Sequence, residues 1–243
     1  MLRKVALGCG IALWMGSALA DPGYYLLTPY DNEGQTLLEL RYWTVKPSGG
    51  RAATLWPELG LAHGFGSRWT TRLLASYIGT EASSFKLSSV SWQNQFMLTQ
   101  GQYPFDLALH AQLSQLHGYE SGPALEWGPV WQSEWGLWQI NLNALFEHGY
   151  GKAADGGTQL KLQWQLQRRL APGLRLGVQG FSELGNWRAW DARAKQSHRV
   201  GPVLHWALPV GERQAVNWQF AYLWGSTYGR RGDMFSAQLQ FAF

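Results

Sequence analysis

The sequence has 243 residues, 46% of them hydrophobic and only 15% charged, which excludes a disordered chain and leaves room for one large domain or two small ones. Aromatic residues reach 14%, with 15 Trp beside 29 Gly, a poor match to a soluble enzyme, and a mean hydropathy of -0.24 is too low for a bundle of membrane helices. The net charge of +4 falls to +2 when Arg3 and Lys4 are set aside with the amino-terminal leader, and no basic run exceeds Arg168-Arg169 or Arg230-Arg231, so nucleic acid is not an expected partner.

In chain order the first element is the leader. Residues 1–20 open with Arg3 and Lys4, continue as an apolar run from Val5 and end in Ala18-Leu19-Ala20, the pattern of a secretory signal cleaved before Asp21. The run is shorter than the roughly 20 apolar residues of a spanning helix. Residues 21–243 then form the mature domain. The single cysteine, Cys9, falls inside the leader, so no disulfide, thiolate metal site or cysteine nucleophile is expected in that domain.

From there the dominant signal is a period of two. Twelve strands are predicted near 34–45, 53–63, 68–79, 85–98, 104–115, 122–132, 136–147, 158–169, 173–184, 197–208, 214–225 and 233–243. In 138–147 Trp138, Ile140, Leu142, Ala144 and Phe146 oppose Gln139, Asn141, Asn143, Leu145 and Glu147; in 160–167 Leu160, Leu162, Trp164 and Leu166 oppose Lys161, Gln163, Gln165 and Gln167. Residues 216–224 repeat this through Val216, Trp218, Phe220, Tyr222 and Trp224, and 235–243 through Phe235, Ala237, Leu239, Phe241 and Phe243. About 19 residues per strand and connection suits tilted membrane strands of about 9 to 11 residues. Connections after even-numbered strands read as tight turns and the others as generally longer loops, the asymmetry of an outer-membrane barrel with both chain ends on the periplasmic side. A soluble sandwich or lipocalin-like barrel also alternates, but Trp138, Trp164, Trp206 and Trp218 would overfill its core. Pro129 and Pro202, inside apparent strands, remove ladder donors and predict bulges or local breaks. The expected fold class is all-β, a transmembrane antiparallel up-and-down barrel of about twelve strands.

The closing strand, with Phe243 last and Phe241, Leu239 and Phe235 at alternate positions, resembles the insertion signal that the barrel assembly machinery reads in bacterial outer-membrane proteins. Within that class, Pro57-Glu58-Leu59-Gly60-Leu61-Ala62-His63-Gly64-Phe65 before a strand from Trp69, and Arg199-Val200-Gly201-Pro202-Val203-Leu204, resemble the meta-pathway phenol-degradation-type family of proteobacterial outer-membrane barrels. That resemblance implies passage of small solutes, hydrophobic or aromatic ones among them.

The less apolar parity, assigned to the lumen, carries Glu39, Arg41, Glu58, Arg72, Asp106, His110, Glu126, Glu147, Lys161, Arg175, Glu183, Arg199 and His205. Five cations face six carboxylates there, which disfavours a strongly ion-selective pore and fits either a lattice of ion pairs or a lined solute path. Twelve strands permit only a narrow conduit, and long side chains with Trp43 constrict it further. Asp106, His110 and Ser114 share one face, but a spacing of four along a strand is about 13 Å, too far for a triad. Six scattered His show no metal-ligand spacing, and no cofactor is expected. Arg231-Gly232-Asp233 reads as hairpin-turn residues rather than an adhesion motif. The reading favoured is a passive narrow channel surrounded by outer-membrane lipid, with no catalytic constellation. The alternatives are a barrel enzyme acting on lipid or peptide, and a structural or surface-interaction barrel with a plugged lumen.

Overall fold

A strand with one apolar and one polar face must hide the first from water or present it to lipid. A computed structural model of the chain describes residues 24–29, 33–49, 52–118, 121–151, 157–212, 214–227 and 230–243. The expected leader and its cleavage site lie outside the described residues. Twelve strands follow: β1 (Thr36–Pro47), β2 (Thr54–Phe65), β3 (Trp69–Thr80), β4 (Ser83–Met97), β5 (Phe105–Leu116), β6 (Gly122–Trp135), β7 (Trp138–Gly149), β8 (Thr158–Ala171), β9 (Leu174–Asn186), β10 (Ser197–Pro209), β11 (Ala215–Thr227) and β12 (Arg230–Ala242). Each pairs antiparallel with the next, and β1 pairs with β12, from Leu37 opposite Ala242 to Pro47 opposite Gly232, closing the barrel. Closure leaves no sheet edge, so every strand finds ladder partners within the wall.

The apolar parity points outward. Leu38, Leu59, Leu73, Leu109, Leu113, Leu142 and Leu176 are each about half exposed, with Trp69, Trp92, Trp206 and Phe220 beside them. Contiguous apolar surface on this scale is not tolerated in water and is what a lipid-facing wall presents. Trp69, Trp135, Trp138 and Trp206 lie toward the end where β1 begins, and Trp127 and Trp224 toward the other, where interfacial girdles are expected.

Two expectations about connections are corrected. The connections expected outside are not consistently the longer ones: β3 and β4 are joined by residues 81–82 alone, whereas the β4–β5 turn, expected on the periplasmic side, spans 98–104. The cause is local, since the Thr80 N–H bonds the Ser83 hydroxyl at 2.9 Å and the ladder runs up to that pair. Similarly, Arg231-Gly232-Asp233 lies in β12 rather than in a turn, paired with Ser226, Gly225 and Trp224.

Of the bulges or local breaks expected at the prolines, local breaks are present and bulges are not. Trp127 pairs with Phe146 and Val130 with Asn143, one unbroken register across Gly128-Pro129 with the rungs between missing. Val200–Trp224 and Val203–Ala221 bracket Gly201-Pro202 in the same way. The backbones are drawn close there: a Cβ on Gly128 would sit 2.0 Å from the Ala144 carbonyl oxygen, and one on Gly201 1.9 Å from that of Tyr222. Register shifts occur elsewhere, at Ser76/Tyr77 and Ile78/Thr80 between β3 and β4 and at Leu160/Lys161 and Arg169/Ala171 between β8 and β9.

The start of β1 and Phe243 share one rim of the barrel, the one expected on the periplasmic side, joined by Thr36 N–H to Phe243 O at 2.8 Å and the reverse bond at 2.9 Å. The chain before β1 does not stay there. Glu33 bridges Gly64, and residues 24–29 lie inside the barrel.

Candidate functional site

The site is the barrel interior, and its central feature is the segment 24–29, absent from the strand pattern of the sequence. Tyr24, Tyr25, Leu26 and Leu27 are 1 to 8% exposed. The Leu27 N–H donates to Gln163 Oε1 at 3.2 Å, Asn143 Nδ2 donates to the Leu27 carbonyl at 2.8 Å, and Gln95 Nε2 donates to the Thr28 carbonyl at 2.7 Å. A peptide lying against strand walls has no ladder, so amide side chains satisfy its backbone instead. Leu27 packs with Met97, Ala108, Val130 and Leu145, nearer the periplasmic end. Tyr24 packs toward the outer end with Trp43, Trp56, Phe181, Leu223 and Met234. Six residues reach about 20 Å when extended, most of the roughly 25 Å apolar band of such barrels.

The Tyr24 ring meets Trp43 edge-on at 5.3 Å and Phe181 at 5.6 Å, with Arg199 Cζ 5.6 Å from its centroid. Trp43 stacks on Trp56 at 4.2 Å and 10°. The indole N–H groups of Trp43 and Trp56 have no hydrogen-bond partner among the described residues. Arg41 lies 4.8 Å over the Tyr25 ring. Trp56 and Phe181 went unnoticed in the strand pattern, although Trp56 shares its parity with Glu58, and Phe181 with Glu183.

The thirteen inward candidates fall into groups. Glu39 accepts from Arg41 Nε at 2.6 Å, from Gln240 at 3.2 Å and from Gln238, while its other oxygen lies 2.8 Å from Arg72 Nε. Arg41 reaches Glu58 at 3.8 Å, Ser76 donates to Glu58 at 2.8 Å, and Arg72 donates to Gln93 at 3.2 Å. Across the lumen, Lys161 Nζ bonds Glu126 at 2.9 Å and also Glu147, and His110 Nε2 lies 3.3 Å from Glu126. Arg175 joins Glu134 at 3.1 Å near the periplasmic rim. Glu183 and Arg199 are buried, the latter donating to the Gly232 carbonyl at 3.1 Å. Asp106 stands apart at the start of β5, accepting from the Gly101 N–H of the β4–β5 turn at 3.4 Å, and half-buried His205 sits opposite Arg175 and Gln219. An amide row, Asn141 to Gln165 at 3.2 Å and Gln165 to Gln179 at 2.9 Å, lines the wall between.

His110 and Ser114 do not combine: Ser114 Oγ is 2.8 Å from Ser91 Oγ, and His110 is turned to Glu126. Among the described residues no group of three or more His, Cys, Asp or Glu is placed to hold a metal ion. Beside the 24–29 segment lies a space of about 40 Å³, between Tyr25, Leu27, Arg41 and Glu126, and a second of about 20 Å³ lies between Ser91, Ser114, Glu126 and Glu147. Such volumes hold one or a few water molecules.

No family model and no curated protein matches the sequence. Among solved structures, the barrel is similar to the KdgM porin in complex with disordered oligogalacturonate, at 8% identity over 85% of this chain and 99% of that one, TM-score 0.58. The NanC porin follows at 9% identity, 85% and 98% coverage and TM-score 0.57. An outer membrane channel from Pseudomonas putida F1 gives 13%, 92% and 98%, and 0.58. The fold is that of a bacterial outer-membrane β-barrel. With the apolar outer wall, it sets the chain in the bacterial outer membrane, the polar parity facing the barrel interior.

Proposed function

We propose that the protein is a gated outer-membrane channel for small solutes, aromatic ones preferred, and that residues 24–29 are its gate. The observation that carries this reading is the burial of that segment inside the barrel, held by side-chain amides rather than by a ladder. A segment of this kind leaves without breaking a strand pair. Its departure frees a seat between Trp43, Phe181 and Arg199 shaped for a flat ring, beside the Trp43 and Trp56 indole donors, which have no partner among the described residues and suit an oxygen acceptor on that ring. The motif resemblance to the phenol-degradation-type barrels supports the same cargo. The oligogalacturonate of the KdgM porin is not carried over, because a polyanion requires an excess of cations and five inward cations face six carboxylates here. No residue is assigned a catalytic role.

Outer-membrane lipid is the partner of the outer wall in this reading. Phe235, Leu239, Phe241 and Phe243, on the outward face of β12 and its end, are the signal for the barrel assembly machinery.

The test is planar-bilayer recording and liposome flux of phenol, 4-hydroxybenzoate and glucose with the wild type and with a variant lacking 24–29. The variant is expected to conduct steadily and to pass the two aromatics faster than glucose. No current and no flux from the deletion variant would overturn the reading in favour of a structural barrel with a filled interior.

A further inference from the structure

The β9–β10 connection, residues 187–196, turns back at its root against the outside of the wall. Leu184 is the residue left without a rung at the β8–β9 register shift, between Glu183 opposite Lys161 and Gly185 opposite outward-facing Leu160, and it is only 5% exposed. The chain returns against it: the Asp191 N–H bonds the Leu184 carbonyl at 2.9 Å, and a Cβ on Gly185 would lie 2.3 Å from Asp191 Cγ. Trp187 reaches sideways to meet Phe146 of β7 edge-on at 5.9 Å, and Phe146 stacks on Trp127 of β6 at 6.0 Å. Both rings belong to the lipid-facing parity, so the root of the loop lies on the outside of the wall, at the level of the outer leaflet. The loop is ordered there by Arg188 N–H to Asn186 Oδ1 at 3.0 Å, Gln196 Nε2 to the Asp191 carbonyl at 2.6 Å and a single 3-10 turn, Arg193–Lys195.

This loop concentrates charge. Arg188, Arg193 and Lys195 against Asp191 give +2 within ten residues, as much as the whole of 21–243. All three cations are exposed, and none forms an ion pair among the described residues. Trp190, 60% exposed, stands between them. The loop then leads into a hollow on the same outer wall: His198 Nε2 contacts Gln196 at 2.7 Å, and His198, Trp224, Ser226, Arg231 and Asp233 surround a space of about 430 Å³. That volume is in the range that holds a small ligand group. Aromatic rings at the hydrocarbon boundary with guanidinium and ammonium groups just above them match a lipid whose headgroup carries phosphate.

We propose that this loop and the adjoining hollow form a seat for the phosphorylated glycolipid of the outer leaflet, with Trp187 and Trp190 among its acyl–sugar boundary and Arg188, Arg193, Lys195 and Arg231 on its phosphates. The inference uses the outer-membrane setting of the fold and is independent of whether the interior conducts. It is tested by native mass spectrometry of the full chain in detergent, titrated with diphosphoryl lipid A, dephosphorylated lipid A or phosphatidylglycerol. The variants are R188Q/R193Q/K195Q, R231Q and, as a control at the periplasmic end, R168Q/R169Q, each checked for folding by heat-modifiable mobility. Diphosphoryl lipid A is expected to be retained over both other lipids. The triple variant should bind it about a hundredfold more weakly at low salt, R231Q about fivefold more weakly, and the control as the wild type. Unchanged retention by a folded triple variant, an equal loss in the control, or equal retention of phosphatidylglycerol would overturn the proposal.

Discussion

Replacing Tyr24 by alanine should turn a closed barrel into one that is open most of the time. Ordering six residues in the lumen costs about 1 to 2 kcal/mol each in backbone entropy, about 6 to 12 in all. Burying Tyr24, Tyr25, Leu26 and Leu27 returns about 1.5 to 3 kcal/mol each. The bonds from Asn143, Gln163 and Gln95 add about 1 kcal/mol apiece. The terms nearly cancel and leave the seated state ahead by a few kcal/mol. Tyr24→Ala removes about 1.5 to 3 kcal/mol of burial together with edge-on contacts to Trp43 and Phe181 worth about 0.5 to 1.5 kcal/mol each. A loss of about 2.5 to 6 kcal/mol moves the equilibrium by roughly fiftyfold to ten-thousandfold or more, enough to reverse it. Single-channel recording should therefore show long openings of Tyr24→Ala at the conductance of the 24–29 deletion, whereas Tyr24→Phe, which keeps the ring, should stay mostly closed. Equal open times for wild type and Tyr24→Ala, with the deletion conducting, would refute the assignment of the closing energy to this ring.

Other consequences are more local. Lys161→Met leaves Glu126 and Glu147 facing each other without their cation and should destabilise the barrel by about 3 to 5 kcal/mol, read as a lowered urea midpoint of unfolding in detergent. Gly201→Ala places a methyl 1.9 Å from the Tyr222 carbonyl oxygen, an atom no side-chain movement can relieve, so little heat-modifiable barrel should form. At Gly66, where φ is +59° but the surroundings are open, alanine should cost only about 1 kcal/mol and assemble normally. Asn143→Leu removes one hold on the Leu27 carbonyl and should raise the open fraction by roughly tenfold, with a smaller effect than Tyr24→Ala.

The wall was legible in the sequence because period two is a property of neighbouring residues. Leu160 to Gln167 sort themselves whatever their distant partners, and the inward set from Glu39 to His205 follows from parity alone. Two features were not legible, for one reason: they depend on contacts far apart in the chain. Tyr24-Tyr25-Leu26-Leu27 carries no alternation, and only the amides of Asn143 and Gln163, more than a hundred residues away, give it a place. At the prolines the local break was legible and the retained register was not. Sequence shows the missing N–H of Pro129 and Pro202, but not that the next strand comes close enough over Gly128 and Gly201 to keep its register.

The use of charge within the wall bears on what the opened lumen would select. Glu39 is engaged by Arg41 and Arg72, and Lys161 by Glu126 and Glu147, so these groups are spent on one another and attract little from outside. The amides of Asn143, Gln163 and Gln95 hold the segment's peptide groups, and the indoles of Trp43 and Trp56 lack partners among the described residues. When the segment leaves, it therefore uncovers these neutral donors and acceptors beside the guanidinium groups of Arg41 and Arg199, both held within the wall, Arg41 by Glu39 and Arg199 by the Gly232 carbonyl. A solute that competes for the place must offer a ring and peptide-like polarity, and binding of that strength, a few hydrogen bonds and one ring contact, is weak enough to permit exit. The deletion variant should accordingly discriminate poorly between potassium and chloride, with a reversal potential close to zero across a tenfold salt gradient. A reversal potential near the full value for either ion would show that buried charge remains available to the solute path, and would refute an origin of selectivity in hydrogen bonding and ring contact.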